Sequence, residues 1–269
     1  MLKDKLNIID TMFSHAKSSS WYNEPTKFDW VRNPDSDTLI FTDLSLTQSH
    51  NYNVKKKYAW MLESPEITPT SYEYIKNNFN LFDGIFTFDK ELLSIDNKFT
   101  FLPCGGCWVD EYDKGIHEKT KMISMLSSNK NSTEGHKLRH QIINELDGID
   151  YFGYMKTIDK KITSLRDYRF SIIIENTKKD YYFTEKIIDC FMTGTIPIYY
   201  GCPSIGDFFD DYGIITFDSI SELKKIISEL STDDYDKRIN SIKKNYEEAK
   251  KYLVADDIIY EKIKKYESN

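Results

Sequence analysis

The chain has 269 residues, a formal net charge of −7 and 40% hydrophobic residues, enough apolar material for one large or two modest packed domains and too much for disorder. An acidic chain is poorly suited to nonspecific nucleic-acid binding, which rests on neutralising phosphates with Lys and Arg, so a phosphate-bearing ligand must meet positive charge gathered locally. No apolar run is long enough to span a bilayer, and the opening Met1-Leu-Lys-Asp-Lys-Leu-Asn lacks the apolar block of a signal peptide; the expectation is a cytoplasmic protein with no transmembrane segment and no nucleic-acid partner.

Over the first 110 or so residues, short apolar runs are separated by polar turns. Residues 39–42, 58–62, 84–88 and 99–102 read as buried strands, with a helix over 71–78. Residues 109–120 are polar and charged and read as a linker, which puts a domain boundary at 115. From 121 the alternation sharpens. A strand at 122–126 and a polar loop at 127–133 lead to a helix over 134–146, marked by Leu138, Ile142 and Leu146 at helical spacing. Strands at 150–153 and 170–174 follow, then a helix over 184–191 stopped by Gly194, and a strand at 195–200. Amphipathic helices at 220–230 and 239–253 precede a last one over 254–266. The pattern predicts an α/β protein with parallel sheets covered on both faces. In such sheets ligands bind at the carboxyl ends of strands, which points to 127–133, 175–184 and 201–204.

The segment Glu175-Asn-Thr-Lys-Lys-Asp-Tyr-Tyr-Phe-Thr-Glu-Lys186 joins a very apolar strand to a helix. It puts Glu175, Asn176, Tyr182, Thr184, Glu185 and Lys186 within reach of one helix N-terminus, where unpaired N–H groups and the helix dipole favour a phosphate. Lys186 in the first turn opposes that dipole, and an anionic ligand would remove the conflict; the plain alternative is a solvated helix start capped by Thr184. Arg139, on the helix after the 127–133 loop, is either a phosphate ligand or an exposed surface residue. Glu63, just after the 58–62 strand, is either a general base or a turn cap. Asp35-Ser-Asp37 follows Pro34 and reads as a turn, and Asp233-Asp-Tyr-Asp236 as a helix start. His15, His50 and His117 are isolated; His136 and His140 share one helix face but lack the Glu of a metalloprotease motif, so no metal site is expected. Cys104-Gly-Gly-Cys107 has redox spacing without a following helix pattern, and no second close pair to make a zinc site with Cys190 or Cys202; a structural loop is the leading reading over a thiol oxidoreductase.

Three linked motifs, Tyr168-Arg-Phe-Ser-Ile-Ile-Ile-Glu-Asn, Tyr182-Phe-Thr-Glu-Lys-Ile-Ile-Asp and Gly194-Thr-Ile-Pro-Ile-Tyr-Tyr-Gly201, together resemble the α-1,3-fucosyltransferase family, glycosyltransferase family 10. Trp60-Met-Leu-Glu-Ser-Pro65, Asn80-Leu-Phe-Asp83 and Ser127-Ser-Asn129 with Arg139 are similar to further family elements, so the likeness runs in order over about residues 58–210. Ile174 stands where the family often has Phe. The resemblance implies a GT-B fold, two Rossmann-like domains with parallel sheets facing a cleft: 1–115 on the acceptor side, 116–253 binding the donor, and a C-terminal helix in 254–269 packing back on the first. It implies inverting transfer from a GDP-sugar, GDP-fucose first, to a hydroxyl of an oligosaccharide or glycoconjugate. Another GDP-sugar, or an inactive glycan- or nucleotide-binding module, is the alternative. Glu63 matches the general base, Arg139 and Lys186 the donor-diphosphate ligands, and Asn176, Tyr182 and Glu185 other donor positions, with Glu175 and Thr184 in the same motif. It implies no tightly bound cofactor and leaves room for a non-essential divalent cation.

Overall fold

The computed structural model describes residues 3–13, 16–21 and 23–267; His15 and the first two residues of the opening stretch lie outside them. In chain order the elements are β1 (Asp4–Ile9), β2 (Phe28–Val31), β3 (Thr38–Thr42), β4 (Lys56–Trp60), α1 (Pro69–Asn78), β5 (Gly84–Thr87), α2 (Lys90–Leu93) and β6 (Phe99–Phe101). Then come β7 (Lys121–Ser127), α3 (Glu134–Glu145), β8 (Asp150–Gly153), β9 (Tyr168–Ile174), α4 (Glu185–Met192), β10 (Ile196–Tyr200) and β11 (Ile215–Thr216). Four helices close the chain: α5 (Ile220–Glu229), α6 (Thr232–Lys237), α7 (Ile239–Ala249) and α8 (Ala255–Glu267). Two compact units divide it: Met1–Gly106 with Val254–Asn269, and Cys107–Leu253.

The first unit holds a six-stranded parallel sheet in the order β2-β1-β3-β4-β5-β6. Side chains alternate across it, as a pleated strand requires. Ile8, Ile40, Tyr58, Trp60 and Phe86 pack on one face with Ala255, Ile259 and Ile263 of α8. Leu39, Phe41, Ala59, Met61 and Ile85 pack on the other with Tyr72 and Ile75 of α1. Pro69 begins α1 at a position where the missing N–H costs nothing.

In the second unit the five-stranded parallel sheet runs β11-β10-β9-β7-β8. Ile123, Phe170, Ile172, Ile174 and Ile198 face Ile142 of α3 and Leu223 of α5. Ile173 and Tyr199 face Ile187, Ile188 and Phe191 of α4. Both faces are covered, which is why β9 and β10 read as unbroken apolar runs.

Several expectations are corrected. Strands β1, β2 and β11 and helix α2 were not anticipated, and the helix expected over 239–253 ends at Ala249. Residues 109–120 are not a loose linker, and the units meet at Gly106 and Cys107, not at 115. Trp108 N–H donates to Asp189 at 2.7 Å and Gly115 N–H to the Met192 carbonyl at 2.9 Å, which tie this stretch to the second unit. Lys119 is buried, its Nζ within 2.8–3.3 Å of the Leu165, Arg166 and Thr193 carbonyls and Thr195 Oγ1. Burial pulls its pKa down to about 7.

Candidate active site

In the second sheet β7 leads to β8 on one side, while β9 leads to β10 and β11 on the other. A doubly wound sheet opens a crevice where its strand order reverses, here at the carboxyl ends of β7 and β9. Glu175 and Asn176 follow β9 directly. Arg139 reaches the same place from α3: Nε donates to the Ile174 carbonyl at 3.2 Å, and Nη2 donates to that carbonyl and to Asn176 Oδ1, the latter at 3.1 Å. Among the described residues Nη1 has no hydrogen-bond partner. The Arg139 side chain is therefore buried but aimed, which excludes the exposed-surface alternative. Gly135 makes this approach possible. A Cβ there would lie 1.9 Å from the Glu175 carbonyl oxygen, so only glycine lets the start of α3 meet the turn after β9.

Glu175 is fully buried and organises the start of α4. Its Oε1 accepts from Thr184 N–H at 3.0 Å, and its Oε2 accepts from Thr184 Oγ1 at 2.8 Å and from Lys186 Nζ at 3.2 Å. Thr184 caps α4 by accepting from Lys186 N–H. Lys186 also pairs with Glu185 at 3.4 Å. Burial works against the Lys186 charge, but Glu175 and Glu185 outweigh it and raise its pKa. Burial likewise works against the Glu185 carboxylate, but Lys186 and Lys161 bring it down to about 2. Part of the conflict between Lys186 and the helix dipole is thus resolved by two carboxylates. The Lys186 side chain as a whole is still 21% exposed. Tyr182 is fully buried, close enough to act on the Arg139 charge.

His136 is buried beside these cations. Its Nδ1 accepts from Thr133 N–H at 3.3 Å in the capping box of α3. Burial, then Arg139, Lys130 and Lys186, push its pKa down to about 4. Arg139 and Lys186 thus set positive charge beside the start of α4, partly offset by Glu175 and Glu185.

Glu63 stands in the first unit, three residues beyond the end of β4 and half-buried. Its N–H donates to Asp43 Oδ1 at 3.1 Å and its carbonyl accepts from the Tyr72 hydroxyl at 3.1 Å. The structure thus brings Arg139, Glu175, Asn176, Tyr182, Thr184, Glu185 and Lys186 together in one unit and places Glu63 in the other.

Residues 116–256 match the family model described as glycosyltransferase family 10 (fucosyltransferase), C-terminal part, which is more than half of the chain. The chain belongs to glycosyltransferase family 10. An alpha-(1,3)-fucosyltransferase of Helicobacter pylori is 33% identical over 104 residues, covering 39% of this chain and 19% of that protein. An alpha-(1,4)-fucosyltransferase of Arabidopsis thaliana is 32% identical over 81 residues, 29% of this chain and 20% of that protein. The matches span about a fifth of the length of these curated relatives. A crystal structure of an alpha1,3-fucosyltransferase with GDP aligns with a TM-score of 0.59 at 19% identity, covering 95% of this chain and 93% of that one. One with GDP-fucose aligns at 0.58 and 18% identity, covering 88% and 81%. The fold is that of the GT-B class, α/β with two parallel sheets.

In this family 10 chain, all the expected donor residues fall inside the matched segment, whereas Glu63 lies before it. Sequence reasoning missed Lys161 and Asp189. Lys161 bridges Asp189 at 2.5 Å and Glu185 at 3.7 Å, and sits over the Trp108 ring. No spacing signal marks Lys161, because the loop that carries it meets α4 only in the fold. Residues 35–37 form the expected turn, with Asp35 N–H on Asn33 Oδ1, and Ser231 caps α6 ahead of Asp233. His140 Nε2 lies 2.9 Å from the Lys130 carbonyl. Cys104 and Cys107 are buried free thiols, with Cys104 Sγ donating to the Leu62 carbonyl at 2.9 Å. Burial pushes the Cys107 thiol well up, away from the reactive thiolate a redox site needs.

Proposed function

We propose that the protein is an inverting glycosyltransferase that moves L-fucose from GDP-fucose onto a hydroxyl of an oligosaccharide or glycoconjugate acceptor. The observation that carries this reading is the pairing of Arg139 and Lys186 at the switch point of the second sheet, beside the N-terminus of α4. The second unit would bind the donor and the first would serve the acceptor. As the anomeric C–O bond to GDP breaks, negative charge builds on the departing β-phosphate. Arg139, Lys186 and the first-turn N–H groups of α4 would offset it. Glu63 would take the proton of the acceptor hydroxyl as that oxygen attacks the opposite face of the sugar. Crystal structures of fold neighbours with GDP and with GDP-fucose support the choice of donor. We place the protein in the cytoplasm, where four free thiols remain reduced.

Thermal unfolding with GDP, UDP, ADP and CMP tests the nucleotide. GDP at about 100 times its Kd adds roughly 2.7 kcal/mol; equal shifts for all four would remove the assignment. A transfer assay with GDP-fucose, other GDP-sugars and an acceptor panel tests the reaction. Glu63→Gln is expected to lower turnover by about 10²- to 10⁴-fold with GDP affinity unchanged. Near-normal turnover would exclude Glu63 as the base.

A further inference from the structure

The first sheet reverses its strand order between β1 and β3, which is where Asp10 and Asp43 stand. Asp43 has φ +33°, in the left-handed region that glycine occupies at no cost. Its side chain is fully buried. Among the described residues no cation lies within ion-pair distance of it. Its carboxyl instead accepts from Leu62 N–H at 3.1 and 3.3 Å and from Glu63 N–H at 3.1 Å. Backbone strain at a buried polar residue persists only where other interactions hold it, and such residues gather at functional sites.

Resting on Glu63 as the acceptor base, we propose that Asp43 is its positioning residue, a buried clamp on the Leu62–Glu63 backbone that fixes where the Glu63 carboxylate is presented. The rest of the surroundings fit a fixed strut. Tyr72 holds the Glu63 carbonyl, and Cys104 holds the Leu62 carbonyl. Asp10 is engaged elsewhere, accepting from Thr42 Oγ1 at 2.9 Å and from Met12 N–H at 2.7 Å. Burial and then the Glu63 charge push Asp43 up to about 8.

Asp43→Gly is the discriminating variant, because glycine deletes the clamp while relieving the positive φ. It is expected to lower kcat by about 10- to 100-fold at saturating donor and acceptor, the cost of a misplaced reacting group. GDP affinity should match the parent protein, while the unfolding midpoint should fall because the Leu62 and Glu63 amides lose their acceptor. Asp43→Asn keeps an acceptor oxygen on both amides and should recover kcat to within about threefold, since a displaced group rather than a lost charge is at issue. Turnover is normalised to GDP-binding sites, so a partly unfolded preparation still gives an answer. Parental kcat in Asp43→Gly, or equal losses in Asp43→Gly and Asp43→Asn, would overturn the clamp. Glu63→Gln is assayed in parallel. Full activity there defeats the base assignment itself, whereas an inactive Glu63→Gln beside an active Asp43→Gly defeats only the positioning role.

Discussion

Lys186 has two roles in this account, and a double substitution separates them. Inside the protein it neutralises Glu175, which is fully buried, and Glu185, which also has Lys161. Towards the ligand it offers a cationic side chain that is 21% exposed. Removing one partner of a buried ion pair costs about 3–5 kcal/mol, because the other charge is left uncompensated. The partial exposure of Lys186 and the second cation near Glu185 put Lys186→Ala at the lower end, about 3 kcal/mol. Its pKa is raised in the folded state, so the stabilisation is complete below the usual lysine range and fades as pH rises through the folded value. The loss in Lys186→Ala should therefore be fully expressed at pH 7. Adding Glu175→Gln removes the stranded charge while keeping an oxygen for Thr184 N–H and a side chain of the same shape. Unfolding midpoints in urea should fall in the single variant and recover in large part in the double. Calorimetric titration with GDP should show weakened binding in both. If the double variant regained parental GDP affinity, Lys186 would act only through the fold. If the single variant matched the parent in stability and in affinity, the pairing itself would be of no consequence.

Three further outcomes are expected. Gly135→Ala would drive a Cβ to within 1.9 Å of the Glu175 carbonyl oxygen. Overpacking of this kind costs about 1–3 kcal/mol or more, and GDP titration should show weaker binding; a neutral result would mean that α3 need not approach the turn after β9. His136 is lowered to about 4 when folded, so between the ordinary histidine range and pH 4 the unfolded chain binds a proton that the folded chain refuses. Stability should therefore drop as pH falls through that window, by about 1.4 kcal/mol per unit from this residue. His136→Gln keeps a capping-box acceptor and should flatten the urea-midpoint profile between pH 6.5 and 4, roughly the limits set by the two pKa values; identical slopes would refute the shift. All four cysteines are buried and free, so iodoacetamide followed by mass spectrometry should label none in the native protein and all after denaturation. A single fast-reacting thiol would revive a redox reading.

Most of the second unit was legible in the sequence because its strands are buried on both faces and so appear as continuous apolar runs, as in β9 and β10. Thr184, Glu185 and Lys186 were legible for another reason: a cation in the first turn of a helix is anomalous and demands an anion. The anomaly did not say which anion, and the structure supplies Glu175 and Glu185 before any ligand arrives. β1 was hidden because Asp4-Lys-Leu-Asn-Ile-Ile mixes polar and apolar residues without clean alternation, and its burial pattern is as mixed. Asp43, Asp189 and Lys161 were illegible because their roles come from tertiary partners. Asp43 meets Glu63 only when β3 and β4 pair side by side, and Lys161 meets Asp189 only across a long stretch of sequence. A positive φ at Asp43 leaves no mark that sequence can show, since Asp is common at ordinary turns.

The most direct test of the central claim is a crystal structure of the protein soaked with GDP. The diphosphate is expected at the carboxyl ends of β7 and β9, with its oxygens within hydrogen-bond distance of Arg139 Nη1, Lys186 Nζ and the first-turn amides of α4. A nucleotide bound elsewhere, with both cations turned to solvent, would contradict it.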